Sequence, residues 1–389
     1  MKSLKSPENM TRKNFLRLAL AAGGVTLTAW WLEACQFLGL TATAQPSPLA
    51  PTTAPVSPPP TAVLTLTVLP SEVPTATAAA TATEEPGLAK LAFVRTRDRT
   101  QGVQQALQLL GINPVQGKSV LLKPNFNSGD PAPASTSPDT LRALVEALQG
   151  MGAGPITVAD RSGMGNSRLI MQNLGVAAMA QELGFATLSL EELTTEQDWV
   201  YLQPPGSHWR YGFPFARPAL EAGAVVQTCC LKPHRFGGHF TLSLKNAVGL
   251  VGKTYGRKGY NYMSELHASP NQRLMIAEIN TAYTPALIVL DGVEAFIDQG
   301  PDVGTRVWGE VVMAGTDRVA LDAVGLALLR ILGYTGVAAQ GPIFQQDQIR
   351  RAAELGLGVT GAEKIRLLTA DDASRAYADS ILQFLSQNA

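Results

Sequence analysis

From Leu88 onward, continuous apolar runs of strand length alternate with stretches whose apolar residues recur at helical spacing. "LAKLAFVRT" predicts a strand and "TQGVQQALQLLG" a helix closed by Gly111. "KSVLLKPN" predicts a strand, and "SPDTLRALVEALQGMG" a helix with Ser137 as N-cap, Pro138 in its first turn and Gly150 near its end. Next come strand "PITVAD", one or two helices in "SRLIMQNLGVAAMAQELG", and strands "FATLSLEE" and "AGAVVQTCCL", the last two separated by less regular sequence containing Trp199 and Trp209. The pattern closes with helix "NQRLMIAEINTAY", strands "PALIVLDG" and "GEVVMAG", helices "DRVALDAVGLALLRILG" and "FQQDQIRRAAELG", strand "KIRLLTA" and helix "SRAYADSILQFLSQ". Strands apolar throughout are buried on both faces. The predicted fold is therefore α/β: a mainly parallel sheet with helices on both faces, in one or two lobes, over residues 88–389.

The first 87 residues carry neither period. Ten of the 26 prolines lie between Thr41 and Gly87, among Ala, Thr, Ser and Val, and Glu72 is the one charge between Glu33 and Glu84. Residues 36–87 thus predict a disordered tether with a reach of about 40 Å as flexible coil; "VLTLTVL" inside it is short enough to be sticky linker or strand. Residues 1–35 have the order of an export signal: basic Arg12, Lys13 and Arg17, an apolar run from Leu18 to Leu32, then "EAC". "TRKNFL" resembles a twin-arginine signal with Lys13 in the place of the second arginine, and "LEAC" resembles a lipobox ending at Cys35. The expected location is the outer face of a bacterial membrane, anchored by lipidated Cys35 or by an uncleaved signal anchor.

Charge adds a local feature. Lys and Arg total 31, as do Asp and Glu, so the chain is neutral and broad nucleic-acid binding is not expected. Yet Cys229–Gly259, "CCLKPHRFGGHFTLSLKNAVGLVGKTYGRKG", holds six Lys or Arg, two of the four His and no acid. Cys229 and Cys230 are adjacent, and no CxxC spacing exists, so no iron–sulfur cluster is expected from this chain's cysteines.

In open α/β sheets, ligands bind beyond the carboxyl ends of the strands. Here those ends are polar: Lys123 and Asn125, Asp160 and Ser162, Lys232 and His234, Asp291, and Asp317. Their convergence in one site is the favoured reading, with Asp317 also suited to capping the helix that follows. The basic segment would supply the positive wall. Gly237-Gly238 permits close backbone approach, and Thr241 or Ser243 would start a helix bearing Lys245 and Asn246 near its amino end, where free N–H groups attract anions. Lys253, Arg257 and Lys258 add charge on a glycine-rich stretch suited to a lid. The expected ligand is a small anion bearing phosphate or carboxylate, with His234, Asp160 and Lys245 as acid, base or nucleophile and Lys123, Asn125, Lys232, Thr241, Asn246, Lys253 and Asp317 as binding groups. The competing use is a divalent metal held by His234, His239 and Asp291, with Asp160 and His267 as further donors. His208 reads as a loop residue. Neither a Walker pattern nor a GxSxG elbow is present.

These same elements, "VLLKPNFN", "ITVADRSG", "CCLKPHRFGGHFTLSLKNAVGLV", "IVLDGVEAF" with Gly300-Pro301, and "GTDRVALDAVG", resemble the family catalogued as domain of unknown function 362 over about Lys118–Leu332. The resemblance implies an α/β domain and points to Lys123, Pro124, Asn125, Asp160, Lys232, His234, Thr241, Lys245, Asn246, Asp291, Asp317 and Asp322, without assigning their roles. Some members carry ferredoxin-type cysteines, which this chain lacks. The functional expectation is a membrane-tethered enzyme acting on a small anionic substrate, metal-assisted or not. The alternative is a lipoprotein that binds a ligand or cofactor and presents it to a membrane partner.

Overall fold

The computed structural model describes residues 87–255 and 259–389. The export signal, Cys35, the tether with its "VLTLTVL", and Arg257 and Lys258 of the expected lid lie outside the described residues.

Eleven strands and eleven α-helices alternate through the described residues: β1 (Ala89–Arg95), α1 (Arg99–Leu110), β2 (Val120–Lys123), α2 (Pro138–Gly150), β3 (Ile156–Asp160), α3 (Ser167–Asn173), α4 (Val176–Leu183), β4 (Ala186–Ser189), β5 (Trp199–Leu202), β6 (Phe213–Ala216), α5 (Arg217–Glu221), β7 (Ala224–His234), β8 (His239–Thr241), α6 (Ser243–Asn246), α7 (Tyr262–Ala268), α8 (Gln272–Ile279), β9 (Leu287–Phe296), β10 (Arg306–Gly315), α9 (Arg318–Ile331), α10 (Asp347–Glu354), β11 (Ile365–Leu368) and α11 (Asp372–Gln387). The predicted strands and helices are all present. Ser137 caps α2, accepting from the Asp139 N–H, and Gly111 closes α1 at φ 64°.

The strand order of the main sheet is β11-β1-β10-β9-β7-β2-β3-β4, with β8 folded back on β7. Pairing is parallel from β9 through β7, β2 and β3 to β4, and between β1 and β11. It is antiparallel where β10 meets β9 and β1. Strand alternation assigns the two faces. On β9, Ile288 and Leu290 pack into the core formed with α9 and α11, whereas Val289 and Val293 pack with α1 and α2. A third cluster joins Leu121, Ala159 and Val225 to Trp199, Trp209, Phe213 and Phe215. The less regular stretch around the tryptophans therefore forms a two-stranded β5–β6 sheet that packs aromatic rings against the parallel half of the main sheet. Every residue of β7 is buried, including the polar Gln227, Thr228, Lys232 and His234.

Candidate functional site

Three neighbouring parallel strands end at one place. β2 ends on Lys123, β3 on Asp160 and β7 on His234. Beyond these ends lies a cavity of about 530 Å³ lined by Lys123, Asn125, Asp160, His234, Thr241, Lys245, Asn246 and Lys253 among the expected residues. Asn127, Arg161, Met164, Phe236, Val248, Gly249, Met263, His267 and Pro301 also reach it.

Its floor is a buried ion pair. Lys123 Nζ lies 2.8 Å from Asp160 Oδ1 and donates to Asn246 Oδ1 at 3.0 Å. The Asp160 carboxylate also accepts the N–H of Phe126 and of Arg161, each at 2.7 Å. With its oxygens so engaged, Asp160 is the ion-pair partner of Lys123. Gly249 admits this arrangement, because a Cβ there would overlap Asp160 Oδ1 and stand 2.7 Å from Lys123 Cε.

The remaining charges are positive and lack carboxylate partners. Arg161 is buried and donates to backbone carbonyls: Nε to Val251 at 2.8 Å, Nη2 to Val248 at 3.0 Å and Nη1 to Ser162 at 3.1 Å. Lys232 does not line the cavity. Its buried ammonium is held behind it by Asn125 Oδ1, Ala134 O and Pro301 O. Lys245, 8% exposed, makes no hydrogen bond or ion pair within the described residues. Burial, then the nearby Lys232 and Arg161, push its pKa down to about 7. Two further polar atoms on the cavity wall, Thr241 Oγ1 and Asn127 Nδ2, are buried without a hydrogen-bond partner. Gly238 keeps this end narrow: a Cβ there would stand 2.6 Å from Lys245 Cε and 2.8 Å from His234 Nδ1.

Both cavity histidines are uncharged at neutral pH. Burial, reinforced by Lys245, pushes His234 well below its usual value, and burial lowers His267 as well. Gly238 N–H donates to His234 Nδ1 at 3.3 Å, which leaves the ring proton on Nε2. His267 Nδ1 lies 2.7 Å from the Met263 carbonyl, which fixes its proton on Nδ1 and leaves Nε2 as a lone pair. His267 is thus the cavity's neutral base.

Four expectations are corrected. Asp291 is in mid-strand, because β9 runs on to Phe296 through an irregularity opposite β10. Alternation with Val289 and Val293 turns it to the α1/α2 face, where Arg99 Nε at 2.8 Å and Thr140 Oγ1 at 2.7 Å hold it. Asp317 follows β10, which is antiparallel to β9, so it emerges on the opposite edge of the sheet. There it caps α9, accepting from Val319, Ala320 and Val359 N–H groups at 2.8–2.9 Å. The helix bearing Lys245 starts at Ser243, but its first N–H groups are taken by Asp322, at 2.8 Å from Ser243 and 3.1 Å from Leu244, so they are closed to a ligand. Last, the set His234, His239 and Asp291 is not gathered: no group of three or more His, Cys, Asp or Glu suited to a metal occurs among the described residues.

Sequence reasoning missed Arg161, Asn127 and Gly249 as site residues and gave His267 only as a metal donor. Arg161 carried a readable signal, as a cation directly after the polar end of an apolar strand. Gly249, within "AVGLV", carried none.

A thylakoid-associated protein of Synechocystis sp. is 27% identical over 220 residues, covering 55% of this chain and 64% of the relative, so the chain spans less than two thirds of that protein's length. The lactate racemase apoprotein from Thermoanaerobacterium thermosaccharolyticum aligns with 59% of this chain and 54% of its own, at 13% identity and a TM-score of 0.34. The sequence pattern of Domain of unknown function (DUF362) matches residues 120–327, over half the chain and every cavity-lining strand end, and the protein belongs to that family.

Proposed function

We propose that this protein is an enzyme that binds a small phosphate- or carboxylate-bearing substrate at the carboxyl ends of β2, β3 and β7. The observation that carries the reading is Lys245, a buried amine with no hydrogen-bond or ion-pair partner within the described residues, in a cavity that Lys123 and Arg161 also line. A buried cation left unpaired costs several kcal/mol unless a ligand completes it. An anion there would accept from Lys245 while Arg161 and Lys232 contribute longer-range attraction.

The chemistry open to such a substrate is proton abstraction. His267 Nε2 takes a proton, His234 Nε2–H donates a hydrogen bond without giving up its proton, and the Lys123–Asp160 pair keeps the floor rigid as a positioning element. Lys245 in its neutral form is a second base. The N-terminal segment supports delivery of this domain to the outer face of a membrane through Cys35, so a Cys35→Ala variant should shift from the membrane to the soluble fraction.

The site is tested by calorimetry with inorganic phosphate and with acetate on wild type and Lys245→Met. Binding by wild type, reduced tenfold or more in the variant at unchanged folding, supports it; equal binding by both sinks it. Mass spectrometry of the ligand that co-purifies from the native host, before and after incubation, separates turnover from capture. A ligand returned unchanged favours the binding-protein alternative.

A further inference from the structure

The cavity wall mixes cationic and apolar groups. Lys123, Arg161 and Lys245 share its lining with Val248, Met263, Met164, Phe236 and Pro301, which supply hydrocarbon, sulfur and ring surface, and Arg161 itself lies against Val248 and Met263. Two of these are large apolar side chains left open: Met164 is 46% and Phe236 45% exposed. Three rings follow one another along the wall. His234 meets Phe236 edge to face with centroids 5.7 Å apart, and lies 6.3 Å from His267 at 34°. Arg235 covers one side of Phe236 with its guanidinium carbon 4.4 Å from the ring centroid. Because burial lowers both imidazoles, the two histidines add no charge of their own to this wall and offer aromatic surface.

A bare oxyanion would satisfy Lys245 and leave this wall wet. We infer that the ligand is an anion carried on a planar apolar body, an aryl phosphate or aryl carboxylate in chemical class, with its charged group at Lys245 and its ring between the His234–Phe236–His267 wall and Met164 and Met263. The inference rests on the anion site proposed above and adds what is attached to the anion. The volume, about 530 Å³, suits such a body. Ring burial against aromatic and thioether groups is favourable beyond area alone.

Four probes decide it on the full-length chain: inorganic phosphate and phenyl phosphate, acetate and benzoate, each titrated by calorimetry. The expected result is that the aryl member of at least one pair binds about tenfold or more tightly than its bare partner, because the ring leaves water for the aromatic wall. Which pair shows the gain tells phosphate from carboxylate. Phe236→Ala, a change at an exposed side chain, should erase most of the aryl advantage while leaving bare-anion affinity within about twofold. Bare and aryl members binding equally in both pairs overturns the inference and leaves the anion site standing, as does an aryl advantage that persists in Phe236→Ala. No binding by any of the four overturns the anion site itself.

Discussion

Asp160 and Asp317 look alike in the sequence: each directly or nearly follows an apolar strand and precedes a helix. In the structure they sit on opposite edges of one sheet. Asp160 ends a strand of the parallel half, where β2, β3 and β7 run the same way and discharge their last residues into a common cavity. Asp317 follows β10, the strand that returns antiparallel from β9, and spends its oxygens on three backbone N–H groups. Strand direction, which composition does not encode, decides which polar strand ends meet.

The largest expected effect is on the parallel side. Asp160→Ala leaves Lys123, 1% exposed, without its counter-ion and frees two backbone N–H groups, Phe126 and Arg161. Urea unfolding should show a loss of about 3–5 kcal/mol, and the double variant Lys123→Met/Asp160→Leu should recover much of it. A loss below about 1 kcal/mol would mean that water reaches the pair, and the closed floor of the cavity would have to be abandoned.

Next in size is Lys245, whose partnerless ammonium makes its two states diverge. Lys245→Met should lower affinity for an anionic probe about 10–100-fold, the worth of a charged hydrogen bond, with no loss of stability in the free protein. The pH dependence has a definite sign. Its folded pKa, near 7, lies below the ordinary lysine value of 10.5, so between those limits the unfolded chain binds more protons and stability rises with pH. Below about pH 7 both states are charged and the burial cost is fully present. Binding of a carboxylate probe, ionised throughout, should instead weaken as pH rises through about 7, as the free site loses its proton. Both trends should vanish in Lys245→Met. Lys232, Arg161, His234 and His267 surround the amine; burial lowers both histidines, so neither takes up a proton above pH 7, where the stability trend is read.

How much of this was readable follows from the same contrast. The elements were legible because buried parallel strands are largely apolar, as "LIVL" is in β9, and amphipathic helices lie between them. Lys123, Asp160 and His234 were legible as site residues because a Lys, Asp or His at the end of such a strand has few uses inside a core, and Lys245 and Asn246 because they lie near the start of a helix in an acid-free basic segment. Asp291 was not. The dipeptide Asp291-Gly292 reads as a turn, yet β9 continues through it and the pleat delivers the carboxylate to Arg99, 192 residues earlier in the chain. Nor was the helix at Ser243 legible as closed, since its cap, Asp322, arrives from α9 across the core. Long-range partners of this kind leave no local pattern.

The smallest effects belong to the antiparallel edge and test the contrast from its other side. Asp317→Ala removes an N-cap and should cost about 1–2 kcal/mol, with anion affinity unchanged because no atom of Asp317 reaches the cavity. Asp317→Asn keeps the oxygen that caps α9 but replaces the one that accepts from Val359 by an NH2, and should cost about 1 kcal/mol at neutral pH. Its pH profile sharpens the point. Burial raises the Asp317 pKa despite the N–H groups that oppose the shift, so the native protein takes up its proton more readily than the unfolded chain. That contribution is complete below the ordinary aspartate pKa and fades as pH rises through the raised one. Wild type should therefore gain on Asp317→Asn as pH falls into the acid range and lose that gain toward neutrality. A change in anion affinity in either variant would mean that the two edges communicate through the sheet, and direction alone would no longer explain why one aspartate serves a site and the other a helix.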